Sequence, residues 1–232
     1  MMKRCCWQSL LPILIWLTIG VSNDAVSQDR PNLLYLTEPA AFVHTVLPVA
    51  EEVMRALGET PDAFDVTVIR SAEQITKETL TNYDVVAFNT TGELPMAASK
   101  QEALLEFVRN GGGFVGVHSA TDTFYEWPEY GEMLGGYFDG HPWHQEVAFT
   151  IEDVDHLSTR HLESPLTLYE EIYQIKNWNR NDVHVLLSVD TTSVDLKADG
   201  INRTDGDFAV SWTRQYGNGR IFYTALGHEP AT

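Results

Sequence analysis

The chain has 232 residues, 44% of them hydrophobic, which is enough for one α/β domain of ordinary size with a full core. Its 33 acidic residues against 15 basic ones give a formal net charge of −18. That balance argues against nucleic acid as a partner, because phosphate-backbone binding needs Lys/Arg patches, and against docking on an anionic membrane; it suits a soluble protein handling neutral or cationic small molecules.

Residues 1–27 read as a signal peptide. Met1-Met2-Lys3-Arg4 is a basic start, Leu10 to Val21 is an apolar run, and Ala25-Val26-Ser27 places small residues where a signal peptidase reads, for cleavage before Gln28. The run is shorter than the ~20 residues of a membrane span. Both cysteines, Cys5 and Cys6, lie in this segment, and neither follows a small-residue lipobox. The mature domain, 28–232, then has no cysteine for a disulfide, a thiolate metal site or a nucleophile. The expectation is export to a periplasm or beyond, with no membrane contact in the mature form. The sequence does not set the oligomeric state.

Asn32 to Leu36 reads as a buried strand, followed by a helix from about Val43 to Leu57 with Val46, Val49, Ala50, Val53 and Leu57 on one face. Asp65 to Ile69 is a second strand. A short helix near Glu73 to Glu78 leads to a third strand, Val85 to Asn89. Ser99 is expected to cap a helix that runs to Arg109 and ends at Gly111-Gly112-Gly113. Phe114 to Val117 is the fourth strand. This alternation predicts right-handed βαβ crossovers and a parallel sheet covered on both faces.

Beyond it, Pro128 to Leu134 is a short helix closed by Gly135-Gly136. Glu146 to Ile151, Ile172 to Ile175, Val183 to Val189 and Phe208 to Thr213 read as strands, with antiparallel pairs among them. Asp195 to Asp207 is a polar loop. Gly217-Asn218-Gly219 turns into the last strand, Ile221 to Leu226.

Open parallel sheets bind ligands beyond the carboxyl ends of their strands. That rule brings His44, Asn89, His118 and His228 toward one crevice. His118 follows a glycine turn and a short apolar strand, and Gly116 and Ser119 suit close approach of a substrate. His118 and His228 are candidates for general acid and base, or for ligands of a divalent metal, and Glu229 or Asp122 would orient an imidazole. The plainer readings stand beside these: His118 and His228 as satisfied core histidines, Asp122 as a helix cap, His44 as a surface residue. A second group, Phe138-Asp139-Gly140-His141-Pro142-Trp143-His144, carries two histidines that would share zinc with a third ligand such as His118, His228 or Glu171, or that would simply be solvated. Trp127, Trp143, Trp178 and Tyr173 offer aromatic faces suited to sugar rings, although most tryptophans are core residues. His156, His161 and His184 read as structural or surface residues.

Four segments together carry a family resemblance: Gly111 to Asp122, Gly135 to Pro142, Glu170-Glu171-Ile172-Tyr173, and Gly217 to His228. With them the chain resembles the ThuA-like (trehalose-utilisation) family from about Asn32 to Pro230. The resemblance implies a flavodoxin-like, class I glutamine amidotransferase-like fold: a three-layer sandwich with a mainly parallel central sheet. In amidotransferases the turn after the glycine-rich strand carries a cysteine, and a late strand ends in a His–Glu pair. His118 stands at the cysteine position and His228-Glu229 resembles the late pair, with different spacing. Thiolate attack on glutamine is thereby excluded. The chain stops at Glu229-Pro230-Ala231-Thr232, where family members usually continue into a closing helix, so truncation of the domain is one expectation.

The resemblance implies an enzyme acting on disaccharides, glycosides or their keto derivatives by histidine acid/base or metal-assisted chemistry. Hydrolase, lyase and isomerase all stay open. His44, Asn89, Ser119, His141, Trp143 and Glu171 are the expected substrate contacts, and His118, His228 and His144 the expected zinc ligands. The alternatives are a non-catalytic carbohydrate-binding module and an interaction domain on the same scaffold.

Overall fold

Short apolar runs with a two-residue alternation become strands, and longer runs of three-to-four-residue periodicity become helices. A computed structural model describes residues 30–61 and 63–232. The expected signal peptide, with Cys5 and Cys6, lies outside the described residues. In chain order the elements are β1 (Asn32–Leu36), α1 (Leu47–Gly58), β2 (Asp65–Ile69), α2 (Lys77–Leu80), β3 (Val85–Phe88), α3 (Ala98–Arg109), β4 (Gly113–Val117), α4 (Pro128–Leu134), β5 (Tyr137–Phe138), β6 (Trp143–Ile151), β7 (Leu166–Ile172), β8 (Ile175–Lys176), β9 (His184–Val189), β10 (Ala209–Tyr216) and β11 (Gly219–Thr224).

Nine strands form one sheet in the order β2-β1-β3-β4-β11-β10-β9-β6-β7, and β5 pairs with β8 apart from it. Strands β2, β1, β3, β4 and β11 are mutually parallel. The remaining neighbours are antiparallel. The sheet is therefore mixed, parallel at one edge and antiparallel at the other. The β10–β11 connection is the two-residue Gly217-Asn218 turn, which only antiparallel strands allow.

This order has a consequence for function. Counting reversals outward from β11, strand β7 points the same way as β1, β3, β4 and β11, and β6 points the opposite way. The ends of β1, β3, β4, β11 and β7 and the start of β6 thus share one edge.

One sheet face carries Leu34, Leu36, Val86, Phe88, Phe114 and Tyr223 into the main core, against Leu104 of α3 and Met133 of α4. The other face packs Leu33, Tyr35 and Ala87 against Met54 of α1. Among the described residues, no helix is long and apolar enough to cross a membrane.

Helix α1 begins later than expected, at Leu47, with Pro48 in its first turn, where a missing N–H costs nothing. Its buried positions are Leu47 and Glu51, while Val53 and Leu57 face solvent. Glu51 wins the inward face because partners satisfy its carboxylate: the Thr37 hydroxyl donates to it at 2.6 Å and Arg70 Nε at 3.0 Å. Helix α3 starts at Ala98, so Ser99 sits inside the first turn and Ala97 takes the capping position. The expected Ile172–Ile175 strand is broken: β7 ends at Ile172, the chain bends through Tyr173 and Gln174, and β8 pairs elsewhere.

Candidate active site

His118 is the first residue past β4, and its backbone is left-handed, with φ 45°. That region is costly for a residue with a side chain and persists only where the surroundings hold it. The hold is visible. The Tyr223 hydroxyl donates to the His118 carbonyl at 2.8 Å, and Thr121 meets the same hydroxyl at 2.8 Å. Beneath the turn, a Cβ on Gly116 would lie 2.9 Å from the Tyr223 ring and 3.0 Å from Leu134, so only glycine lets the turn pack so closely.

The imidazole has one bond that sets its tautomer. Nδ1 lies 2.7 Å from the Ala225 carbonyl, which can only accept, so Nδ1 carries the hydrogen and Nε2 presents a lone pair. Around Nε2 stand the Tyr173 hydroxyl at 3.1 Å, His228 Nδ1 at 3.2 Å and Glu171 Oε2 at 3.6 Å. His44 meets the His118 ring edge-on, with centroids 4.8 Å apart. One ligand atom from each of His44, His118, Glu171 and His228 lies within 4.8 Å of the others.

Burial holds the His118 imidazole down at about 3 despite the Ala225 bond, and the neighbouring imidazoles add to the effect. Burial, with His228 nearby, holds His44 at about 4. Both rings are neutral at ordinary pH, the form that ligates metals.

Glu170 organises the far side. It is completely buried, and its carboxylate accepts backbone N–H bonds from Gly227, His228 and Glu171, each at 3.0 Å. It ties the end of β7 to the loop after β11, and so fixes Glu171 against His228, whose Nδ1 is 3.2 Å from Glu171 Oε2.

A cavity of about 180 Å³ opens beside this cluster. Phe42, Phe138 and Tyr173 wall it, with Asp122, His141 and Glu171 among its polar groups. His141 Nδ1 lies 3.4 Å from Glu171 Oε1. Asp122 accepts the Tyr125 hydroxyl at 2.6 Å, and burial pushes its carboxyl pKa upward. A larger groove of about 800 Å³ runs over Val115, Phe222 and Arg220, but it lacks this histidine cluster, so size does not choose the site.

The other expected residues fall around this centre. Ser119 and Asn89 are buried beneath His118 and bonded to each other at 3.2 Å, away from the cavity wall. Trp143 is not a substrate contact: its ring is buried against Phe208 and its Nε1 donates to the Asp195 carbonyl. Strand alternation explains this, since β6 turns Trp143 inward and His144 outward. His144 pairs with Glu229 at 2.7 Å on the rim and does not join His141 in one cluster. His44, weighed as a surface residue, is 5% exposed, because the late start of α1 leaves residues 40–46 free to fold over the sheet edge.

Two residues escaped the sequence reading in their actual roles, Glu170 as the backbone anchor and Tyr173 as the partner of His118. The adjacent acids at the end of one strand were a usable signal, because alternation points them to opposite faces and the structure buries both.

The fold and site define a class: an α/β protein with a large mixed sheet, carrying a histidine-rich centre at the edge where its parallel strands end. Within that class, the profile of the ThuA family, described as trehalose utilisation, matches residues 32–232, and the chain belongs to this family. No curated protein matches the chain. A ThuA-like protein of Bacteroides uniformis is 25% identical, with a TM-score of 0.72 over 91% of this chain and 87% of that one. A ThuA-like protein of Parabacteroides merdae is 21% identical, with a TM-score of 0.68 over 88% and 82%. A β-galactosidase of Rahnella sp., 16% identical with a TM-score of 0.54, has the fold in 30% of its own chain; the likeness covers 88% of this one and is one of fold alone.

Proposed function

We propose that the protein is an exported enzyme that acts on a disaccharide, a glycoside or a keto derivative of one, at a metal-assisted centre built from His44, His118, Glu171 and His228. The observation that carries this reading is the convergence of these four ligand atoms within 4.8 Å, beside a cavity with aromatic walls. Three imidazoles and one carboxylate suit zinc or a similar divalent ion. The Ala225 carbonyl behind His118 is the outer partner that metal-binding histidines usually have. When bound, such an ion supplies polarisation of a carbonyl or hydroxyl oxygen.

The remaining roles belong to the chain's own groups. His118, held near 3, is a poor proton carrier at neutral pH and serves better as a ligand. Asp122 and the His141–Glu171 pair face the cavity, where they can hold or move a proton at a sugar hydroxyl. Phe42, exposed on the cavity wall, offers a flat face to the C–H side of a ring. The family's description as trehalose utilisation supports a disaccharide substrate. We also read the parallel half, ordered β2-β1-β3-β4, as a flavodoxin-type sheet, and α1 on one face with α3 and α4 on the other supports a three-layer sandwich.

The test is zinc analysis of the purified protein alongside turnover on disaccharides and their keto derivatives. Stoichiometric zinc and activity, lost together in His118→Ala and His228→Ala, support the enzyme. No metal and no turnover, with sugar affinity intact in His118→Ala, would instead make this a carbohydrate-binding module.

A further inference from the structure

We propose that His144, Glu229 and His228 form a second, solvent-facing site for a divalent transition metal, which shares His228 with the inner centre. The proposal rests on the inner site described above. One ligand atom from each of the three rim residues lies within 4.8 Å of the others. His228 connects the two groups. Its Nδ1 faces inward, 3.2 Å from both His118 Nε2 and Glu171 Oε2. Its Nε2, on the opposite edge of the ring, makes no hydrogen bond among the described residues, and His144 meets this ring with centroids 5.2 Å apart.

The rim is prepared for an ion by groups that do not belong to it. Glu170 anchors the backbone amides of Gly227 and His228, so the segment that presents Glu229 is fixed at its root. His144 is fixed by the β6–β7 register, in which it pairs with Glu171. Charge also fits. Each ion would have its own carboxylate, Glu171 inside and Glu229 outside, in a chain whose net charge is −18. Imidazole with carboxylate suits zinc and its first-row neighbours, and a two-ion centre can grip two oxygens of one substrate.

The sites differ in access. Side-chain exposure is 40% for His144 and 30% for Glu229, but 0% for His118 and 10% for Glu171. The rim ion should exchange faster and leave first under a chelator. Its entry must break the bond between His144 and Glu229 and release the hydrogen left on the His228 ring, so that both ring nitrogens can serve an ion.

Zinc binding to the metal-stripped full chain, measured by elemental analysis and by titration against a chromophoric chelator, tests this. The wild type should take about two zinc ions per chain, removed by chelator in two steps, and His144→Ala and Glu229→Gln should each take about one. Both substitutions are at exposed or half-exposed positions, and circular dichroism would verify their folding. A wild type that takes only one zinc, and keeps it in His144→Ala, overturns the rim site and leaves the inner one standing. A single zinc that survives His44→Ala but not His144→Ala overturns the inner centre and the shared arrangement with it. No zinc in any form overturns both.

Discussion

His118 Nε2 and His228 Nδ1 lie 3.2 Å apart, although 110 positions separate the two residues in the chain. One follows β4 and the other follows β11, and parallel pairing of those strands sets both at the same edge. Because His118 Nδ1 donates its hydrogen to the Ala225 carbonyl, the facing nitrogen of His118 carries a lone pair, turned toward the Tyr173 hydroxyl and His228. Two nitrogens and the Glu171 carboxylate at this spacing form the heart of the site.

Removal of an inner ligand should abolish function without unfolding the chain. His44→Ala and His228→Ala are expected to lower zinc affinity by about 100-fold or more, since loss of an outer-shell partner alone typically costs 10–100-fold. Competition with a chelator measures this, and turnover on the active sugar should fall in parallel.

Glu170→Gln should act at one remove. The substitution keeps the shape but sets an amide N–H₂ against backbone donors that now bond to a carboxylate at 3.0 Å. The expected loss is about 1–3 kcal/mol in urea unfolding, with metal affinity down by about 10-fold or more as His228 and Glu171 shift. An unchanged unfolding midpoint would show that the carboxylate anchors nothing.

Gly116→Ala tests the packing under His118. The new methyl would press on Tyr223 and Leu134, at 2.9 and 3.0 Å. The fold should lose about 1–3 kcal/mol, and the displaced turn should weaken metal binding as well.

The metal-free protein should lose stability in acid. The folded-state pKa values of His44, about 4, and His118, about 3, lie below the ordinary imidazole value of 6.5. Protons therefore bind the unfolded chain first, and the stability these residues contribute is fully present above pH 6.5. It is lost as pH falls from 6.5 toward 4 for His44 and toward 3 for His118. Urea midpoints of chelator-treated protein across this window should fall, and His44→Gln should flatten the upper part of the curve.

Phe42→Ala separates substrate contact from structure. Phe42 is 62% exposed on the cavity wall, so its removal should change stability by no more than about 0.5 kcal/mol. The reading of the cavity as a sugar site requires KM to rise with little change in kcat. An unaltered KM would move the substrate away from this wall.

Most of the parallel half was legible from local sequence. The runs at 32–36, 65–69 and 85–88 stand out because each is a short apolar strand bounded by turn residues. His118 and His228 were legible for the same reason, since a strand end is a local feature and the rule for where ligands bind does the rest. Helix α1 was read on the wrong face because periodicity counts Val53 and Leu57 as apolar and Glu51 as polar, without seeing Arg70 and Thr37 waiting for that carboxylate. Trp143 was offered to a sugar ring because composition cannot tell an inward tryptophan from an outward one until the strand register is known.

By itself, then, the sequence determined a cysteine-free α/β domain with histidines at its strand ends, because strands, turns and the absence of a thiol are written in neighbouring residues. Only the tertiary structure decided which of those histidines meet. The reversal of direction through β10, β9, β6 and β7 returns Glu170 and Glu171 to the edge that His118 occupies. The loop before α1 folds His44 down onto His118 and His228. Such distances depend on strand order and direction, and those are set by how the whole sheet buries its two faces.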